Sequence, residues 1–464
     1  MDTNGIGYRL WRDLGGQPGL LDLVEEPSPP IGLPSRLDVS GLLADSVALA
    51  TLVMQQIQFA RGQWQTLPAV RLAGDRITTS AQSERHLTID GAAPTMWSAM
   101  SGFWQTRDGW VRTHGNYPHH ADRLTQLLGL VPGSSKESLS AAIATRGALE
   151  LEEAAAEAGA IVGAVRTPEE WAAHPHSAAV DSSPLVTVRQ HTRGAPGHWS
   201  VEMGGPLAGV RVLDLTRVIA GPTATRDLAF AGADVLRVDS PRLPEITAQH
   251  LDTGQGKRST RLDLASAADR RTFDDLLSVA DVVVTGYRPG ALDRYGLSAD
   301  ALWARRPGLV VGTISAWGEA GPWRHRRGFD SIVQAVTGVS VVESLDGDHP
   351  GAMPAQALDH AGGHFLAAAL CHCLRQQRRQ GGSWSVALSL ARLAQELLRS
   401  RPVGRRATAV PPATVQTSTT DAGEITCAAP VLVYAGAPPE YPMLATRWGA
   451  DAPRWQSTME RTRS

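Results

Sequence analysis

The segment Leu358-Asp359-His360-Ala361-Gly362-Gly363-His364 opens an apolar helix and puts a carboxylate in its first turn. The positive end of a helix favours the ionised form there by roughly 0.3–1 kcal/mol. Two glycines one turn later leave room for a ligand against the backbone. Such an aspartate can attack an acyl group or can serve as a cap, and the pattern alone leaves both open. A second candidate is Thr216-Arg217-Val218-Ile219-Ala220-Gly221-Pro222, which follows the apolar run VRVLDLT. A turn between a parallel strand and a helix is where α/β sheets bind anionic ligands, although a Gly-Pro turn can merely start a helix.

Three other clusters carry charge. In Gly254-Gln255-Gly256-Lys257-Arg258-Ser259, adjacent Lys and Arg behind glycines suit a phosphate, or form a solvated basic turn. The spacing is not that of a P-loop. In Arg288-Pro289-Gly290-Ala291-Leu292-Asp293-Arg294, the two arginines can hold phosphate or carboxylate; alternatively Asp293 and Arg294 form a surface ion pair of little energy. His360 and His364 have the i,i+4 spacing of a chelate, but no third ligand accompanies them, so no metal is expected. His114, His119 and His120 form another cluster, for which structural, general-base and metal roles stand open. Asp239 ends a strand where a ribose-binding acid would stand, but the G-x-G-x-x-G fingerprint of a nicotinamide site is absent.

The elements that must position these groups are legible. VRVLDLT (210–216), ADVLRVD (233–239), DVVVTGY (281–287) and GLVVGTIS (308–315) are short Val/Leu-rich runs separated by helix-like stretches at 222–232, 266–279 and 298–305. That alternation predicts a parallel sheet covered by helices on both faces. Further helices are expected at 330–342 and 358–378, and a buried Ala/Leu-rich helix at 41–60. Asp108-Gly109 predicts a hairpin within 100–118, followed by helices near 119–129, 136–146 and 148–158 and a strand at 161–166. Thr167-Pro168-Glu169-Glu170 combines an N-cap, Pro at N1 and a capping-box acid. Residues 1–35 read as a loose lead-in, 178–206 as a linker, and 421–434 as a strand-turn-strand.

Composition bounds the rest. A chain of 464 residues with 42 % apolar and 19 % charged residues can build two or three domains and is not disordered throughout. Lys+Arg 44 against Asp+Glu 46 gives net −2, so no overall field draws in nucleic acid or an anionic membrane. The thirteen Trp are scattered and form no base-stacking platform. Only Lys136 and Lys257 are lysines, which singles out Lys257. Cys371, Cys373 and Cys427 make no disulfide framework, and Cys371 and Cys373 cannot share a helix face, so a reducing cytoplasm is expected. No signal peptide is expected, and the apolar stretches, such as 46–54, are read as too short to span a bilayer.

Four motifs in order, PLxGVRVLDLTRVIAGP (206–222), GADV (232–235), GKRS ahead of LDL (256–264) and YRPG (287–290), resemble the class III CoA-transferases, relatives of formyl-CoA transferase, carnitine CoA-transferase and α-methylacyl-CoA racemase. Gly328-Phe329-Asp330 with Gln334 and Gly338, then Asp359 with Gly363, resemble the family's segment around its catalytic aspartate. The resemblance implies a Rossmann-like large domain at 205–400 and a smaller α/β domain within 1–204, in permuted or fused order, with a tail at 401–464 returning to the fold and a leading helix at 41–60. It implies Asp359 as a nucleophile on an acyl-CoA thioester, with Arg217, Ile219, Ala220, Lys257, Arg258 and Arg294 along the CoA. It implies a carboxylic acid acceptor, no tightly bound cofactor, and a homodimer or a compact monomer that mimics one. Racemases of the family carry a histidine where this chain has Phe329, which disfavours α-proton exchange. The asparagine common after the third strand is Gly286 here. A catalytically silent CoA-binding relative is the remaining alternative.

Overall fold

The computed structural model describes residues 1, 5–197, 199, 204–400 and 409–456. Among these, the strands in chain order are β1 (Thr88–Ile89), β2 (Gly102–Gln105), β3 (Trp110–Thr113), β4 (Val162–Ala164), β5 (Thr187–Gln190), β6 (Arg211–Leu215) and β7 (Asp234–Asp239). They continue with β8 (Arg258–Arg261), β9 (Val282–Thr285), β10 (Val310–Ser315), β11 (Trp384–Ser389), β12 (Val415–Thr420) and β13 (Gly423–Ala428).

The central sheet has the order β5-β11-β10-β9-β6-β7-β8, parallel throughout except for the antiparallel edge strand β5. From β6 the chain steps out through β7 to β8. It then returns to β9 and steps the other way through β10 to β11. The neighbours β6 and β9 therefore send their connections in opposite directions, which opens a crevice at their carboxyl ends. Their valine and leucine runs serve two cores. Val212, Val282, Val284 and Val310 pack on one face of the sheet. Leu213, Leu215, Val283 and Val311 pack on the other.

The principal core holds two long helices side by side, Val39–Ala60 and Ala357–Gln380. Val39–Ala60 is 22 residues long and, contrary to the reading of its apolar stretch as too short, has the length and composition of a membrane span. Nearly all of its most apolar window is buried inside this fold, so its hydrophobicity is accounted for by the core. Residues 1–35 are not a loose lead-in: helix Ile6–Asp13 buries Leu10 and Trp11, and the Trp11 indole donates to the Gln17 carbonyl at 2.9 Å.

A smaller unit has its own core beneath the antiparallel sheet β2-β3-β4, with helices Pro118–Leu127, Lys136–Ala144 and Ala148–Ala158. The Asp108-Gly109 turn joins β2 to β3 as expected, closed by Thr106 N–H donating to the Gly109 carbonyl. Thr167 and Glu170 form the expected capping box. The segment read as a linker contains helix Pro175–Asp181 and the edge strand β5. The late hairpin is β12–β13, six residues earlier than its reading, and β13 also pairs with β1. Residues 401–408 and 457–464 of the expected tail lie outside the described residues.

Candidate active site

The turn after β6 is organised by Asp214. Its Oδ1 accepts from the amide and hydroxyl of Thr216, at 2.8 and 2.5 Å, and its Oδ2 accepts from Thr225 at 2.5 Å and from Lys257 Nζ at 3.1 Å. Lys257 also donates to the Pro222 carbonyl at 3.1 Å and to Thr225 at 2.9 Å. All three of its protons are thus used inside the protein, and the residue is 3 % exposed. This corrects the reading of Lys257 as a phosphate contact: it ties the turn after β6 to the start of β8, two strands away in the sheet. Burial, only partly offset by Asp214, lowers the ammonium to about 8.

Between Asp214 and helix Ala220–Phe230 the backbone is forced into an unusual path. Val218 has φ +74°, a region that β-branched residues rarely enter. Strain of this kind costs on the order of 1–3 kcal/mol and gathers at functional sites. Ile219 occupies the N-cap position with no capping side chain, and Ala220 begins the helix. The amides of Ala220 and Gly221 therefore open toward the crevice without a side-chain cap.

Helix Ala357–Gln380 crosses here. A Cβ on Gly363 would lie 2.5 Å from the Ala220 carbonyl oxygen and 2.6 Å from Thr223 Cβ, so the approach requires glycine. Asp359 lies one turn earlier on the same helix face. It is 6 % exposed. Its N-cap residue, Gln356, supplies no side-chain cap. Asp330 acts instead: its Oδ2 accepts from the Asp359 amide at 3.0 Å, while its Oδ1 accepts from Gln334, whose own carbonyl oxygen accepts from the Met353 amide at 2.9 Å.

The two carboxyl groups act on each other. Burial raises Asp330 to about 6. Burial, and then the Asp330 charge, raise Asp359 well above the ordinary carboxylate range. This corrects the expectation that the helix end keeps Asp359 ionised, because the field of a helix terminus is weaker than burial beside a like charge.

The other predicted contacts separate into groups. Arg217, at the turn itself, bonds Glu245 at 3.1 Å and lies over the Tyr117 ring at 4.6 Å. Glu245 also accepts from Tyr117 at 2.6 Å and pairs with Arg237. Arg258 is turned to Asp234 at 2.7 Å, away from the crevice, which corrects its reading as a phosphate ligand. Asp239 pairs with Arg237 at 2.7 Å and accepts from Trp448 at 2.8 Å, so it is engaged within the fold rather than offered to a ribose. Arg294 is exposed and lies over its neighbour Tyr295; among the described residues it forms no ion pair with Asp293. His364 pairs with Asp227 at 2.6 Å, while both ring nitrogens of His360 are buried without a partner.

Sequence reasoning missed Arg123 and Arg327 of a second basic group. Arg123 and Arg327 each bring Nη1 to 3.2 Å from the position a Gly159 Cβ would take. Burial, then Arg288 and Arg123, lower the Arg327 guanidinium, and His119 is lowered by burial and by Arg123, Arg217 and Arg327. Arg288 follows β9 and Arg217 follows β6, so these cations surround the crevice. Arg123 comes from the smaller unit with no local pattern to mark it, whereas His119 and Arg288 stand in clusters that the sequence already showed. The same unit covers Phe329: the His114 ring stacks on it with centroids 3.7 Å apart and planes 7° apart, and His120 meets it edge-on at 5.9 Å. A cavity of ≈ 270 Å³ lies beside this region, lined by Glu153, Glu157, Trp323, Arg326 and Arg327 among others, and Asp359 is not in its wall.

Comparison with known proteins adds four findings. The family model described as CoA-transferase family III matches residues 207–441. The chain is 37 % identical over 201 residues to an acetyl-coenzyme A transferase of Hypoxylon pulicicidum, covering 42 % of this chain and 34 % of the relative. It is 30 % identical over 230 residues to the alpha subunit of a succinyl-CoA–L-malate CoA-transferase of Chloroflexus aurantiacus, covering 46 % and 51 %. The crystal structure of a hypothetical protein from Mycobacterium tuberculosis aligns with TM-score 0.40 at 33 % identity, over 42 % of this chain and 58 % of that one. The chain spans about a third to a half of the length of the first curated relatives it matches.

Proposed function

The chain belongs to CoA-transferase family III, and from that premise we propose that it moves coenzyme A from an acyl-CoA to a carboxylic acid, with Asp359 as the covalent nucleophile. The observation that supports this reading is a buried carboxyl, Asp359, in the first turn of a helix, its amide tied to Asp330, on a helix whose Gly363 touches the helix that follows the strained Val218 turn.

In the proposed course, the Asp359 carboxylate attacks the thioester carbonyl carbon, the C–S bond breaks, and CoA thiolate leaves behind a mixed anhydride. The thiolate attacks the aspartyl carbonyl and releases the donor acid, leaving CoA as a thioester on Asp359. The acceptor carboxylate attacks that thioester, thiolate leaves again, and its return to the acceptor's carbonyl gives the new acyl-CoA and free Asp359. Dividing one exchange into acyl transfers is the gain of covalent catalysis. The uncapped amides of Ala220 and Gly221 suit the oxyanion that develops at each attack. Arg288, Arg327, Arg123 and His119, with the exposed Arg294, suit the phosphates of the nucleotide, which fix the thioester in reach; Arg217, already paired with Glu245, lies beside them.

Phe329, held under His114, carries no exchangeable proton, so the α-proton exchange of the family's racemases is not proposed. The family reading carries with it a homodimer, or a monomer in which the permuted order supplies the second half; a size measurement in solution separates them. Three buried free cysteines suit a reducing cytoplasm. The testing experiment is Asp359→Asn assayed over a panel of acyl-CoA donors. Loss of transfer with retained CoA binding supports the reading, and retained transfer excludes Asp359 as nucleophile.

A further inference from the structure

Arg112, at the third position of β3, is a half-buried guanidinium with no hydrogen bond and no ion pair among the described residues. Its Nε is sealed from water and unpartnered. Two rings enclose it: the guanidinium carbon lies 4.8 Å from the Phe103 ring and 5.2 Å from the Trp97 ring. Contacts of this kind compensate a desolvated cation only in part, and burial lowers Arg112 to about 10. A fork of five donors beside two aromatic rings, with no hydrogen-bond acceptor among the described residues, suits a planar anion.

Its direction is set by the strand. Residues two apart share a face, so Arg112 faces the same way as His114, which stacks on Phe329. Its cross-strand partners are Phe103 on one side and Gly163 on the other. A Cβ on Gly163 would touch Val336 and Ile332 at 2.8 and 2.9 Å, so this face of the sheet packs on helix Asp330–Thr337. Arg112 therefore looks toward the end of that helix that carries Asp330. It forms no hydrogen bond there: the Asp330 charge only partly offsets the burial of Arg112, and the Asp330 oxygens accept from Gln334 and from the Asp359 amide. His114 and His120 each add a buried Nδ1 without a partner to the same wall. The groups that act on Asp359 are burial and Asp330, and Arg112 is not among them. It stands one residue further from the reacting atoms, beyond Asp330.

Resting on the transfer reading above, we propose that Arg112 takes the second, non-reacting carboxylate of a dicarboxylic substrate whose other carboxyl group reacts at Asp359. The smaller unit thereby selects the acid, while the sheet edge holds the CoA. The same chemistry serves a dicarboxylic acyl donor and a dicarboxylic acceptor, and the test has an arm for each.

The probes are succinate against butyrate as acceptors with one fixed acyl-CoA, and succinyl-CoA against butyryl-CoA as donors with one fixed acceptor. In Arg112→Gln the ratio of kcat/KM for the dicarboxylic over the monocarboxylic member falls by at least about tenfold, through KM, in the arm that uses the site; truncating one side of a desolvated charge pair commonly has at least that effect. Arg112→Lys, which keeps the charge but not the fork, falls between. An equal change for both members in both arms, or none, overturns the proposal. Titration of succinate into wild type and Arg112→Gln, followed by calorimetry, reads the site without turnover. Binding lost in the variant while wild type shows no transfer leaves the anion site standing and removes the transfer reading. No binding difference and no change in ratio removes Arg112 alone.

Discussion

The carboxylate of Asp330 accepts a hydrogen bond from the backbone amide of Asp359 at 3.0 Å, so one acid fixes the helix end on which the other stands. Burial first, and then the charge of that same Asp330, raise the pH at which Asp359 ionises. Asp330 thus bears on both the position and the acidity of the proposed nucleophile, and substitution there separates the two effects.

Asp330→Asn keeps an oxygen for the Asp359 amide and removes the charge. The proposed nucleophile must be ionised, so adduct formation in wild type is expected to rise with pH through an inflection above the ordinary carboxylate range, and in the variant that inflection moves to lower pH. A pre-steady-state rate of CoA release measured from pH 4 to 9 checks it; an unmoved inflection contradicts it.

Stability follows from the same acid. The folded value of Asp330 is about 6 against 3.8 for an ordinary aspartate. Its acid form is preferred in the fold, so its contribution is fully present below about pH 4 and is lost as pH rises through about 6, worth roughly 2–3 kcal/mol. Thermal unfolding is expected to show Asp330→Asn gaining on wild type between pH 4 and pH 8. A constant difference across that range contradicts the linkage.

Lys257→Met leaves Asp214 buried without its cation, and breaking a buried pair in this way costs about 3–5 kcal/mol. Urea denaturation is expected to show that loss. A stable variant with CoA affinity selectively weakened would instead return Lys257 to the phosphate role.

Gly363→Ala puts a methyl group 2.5 Å from the Ala220 carbonyl oxygen, where backbone must move. Overpacking of this kind costs about 1–3 kcal/mol, and here it also displaces Asp359 from the turn. At Gly362 the nearest atom is the flexible end of Ile314 at 3.0 Å. Denaturation and transfer assays are expected to rank Gly363→Ala as the more harmful.

Arg288→Ala and Arg327→Ala are each expected to weaken CoA binding about tenfold at low salt and to flatten its salt dependence. The turnover of an N-acetylcysteamine thioester, which lacks the nucleotide, should change far less. Equal losses on both substrates would place these arginines in a structural role.

The strands and the aspartate helix were legible because buried parallel strands are continuous valine and leucine runs, and because Asp359 heads a long unbroken apolar segment. The Asp330–Asp359 partnership was not, since the residues are 29 apart and only the family resemblance of Gly328-Phe329-Asp330 pointed to that segment. Lys257 reads the same behind its glycines whether it points outward or inward. Its inward direction is decided by Asp214, 43 residues upstream. A usable signal was present all the same: in a chain with 44 basic residues and only two lysines, a retained lysine suits a tripod of acceptors that a planar guanidinium would not fit. Arg112 was hidden because the alternation Trp110-Val111-Arg112-Thr113 looks like a strand with a solvated face. Helix Asp330–Thr337, more than two hundred residues later, is what covers it.

The central claim concerns one carboxyl group, and mass spectrometry of the intact protein after incubation with an acyl-CoA panel addresses it directly. The account predicts a hydroxylamine-sensitive adduct that maps to Asp359 and is absent from Asp359→Asn. An adduct on another residue, or CoA transfer proceeding with Asp359 unmodified throughout, would contradict it.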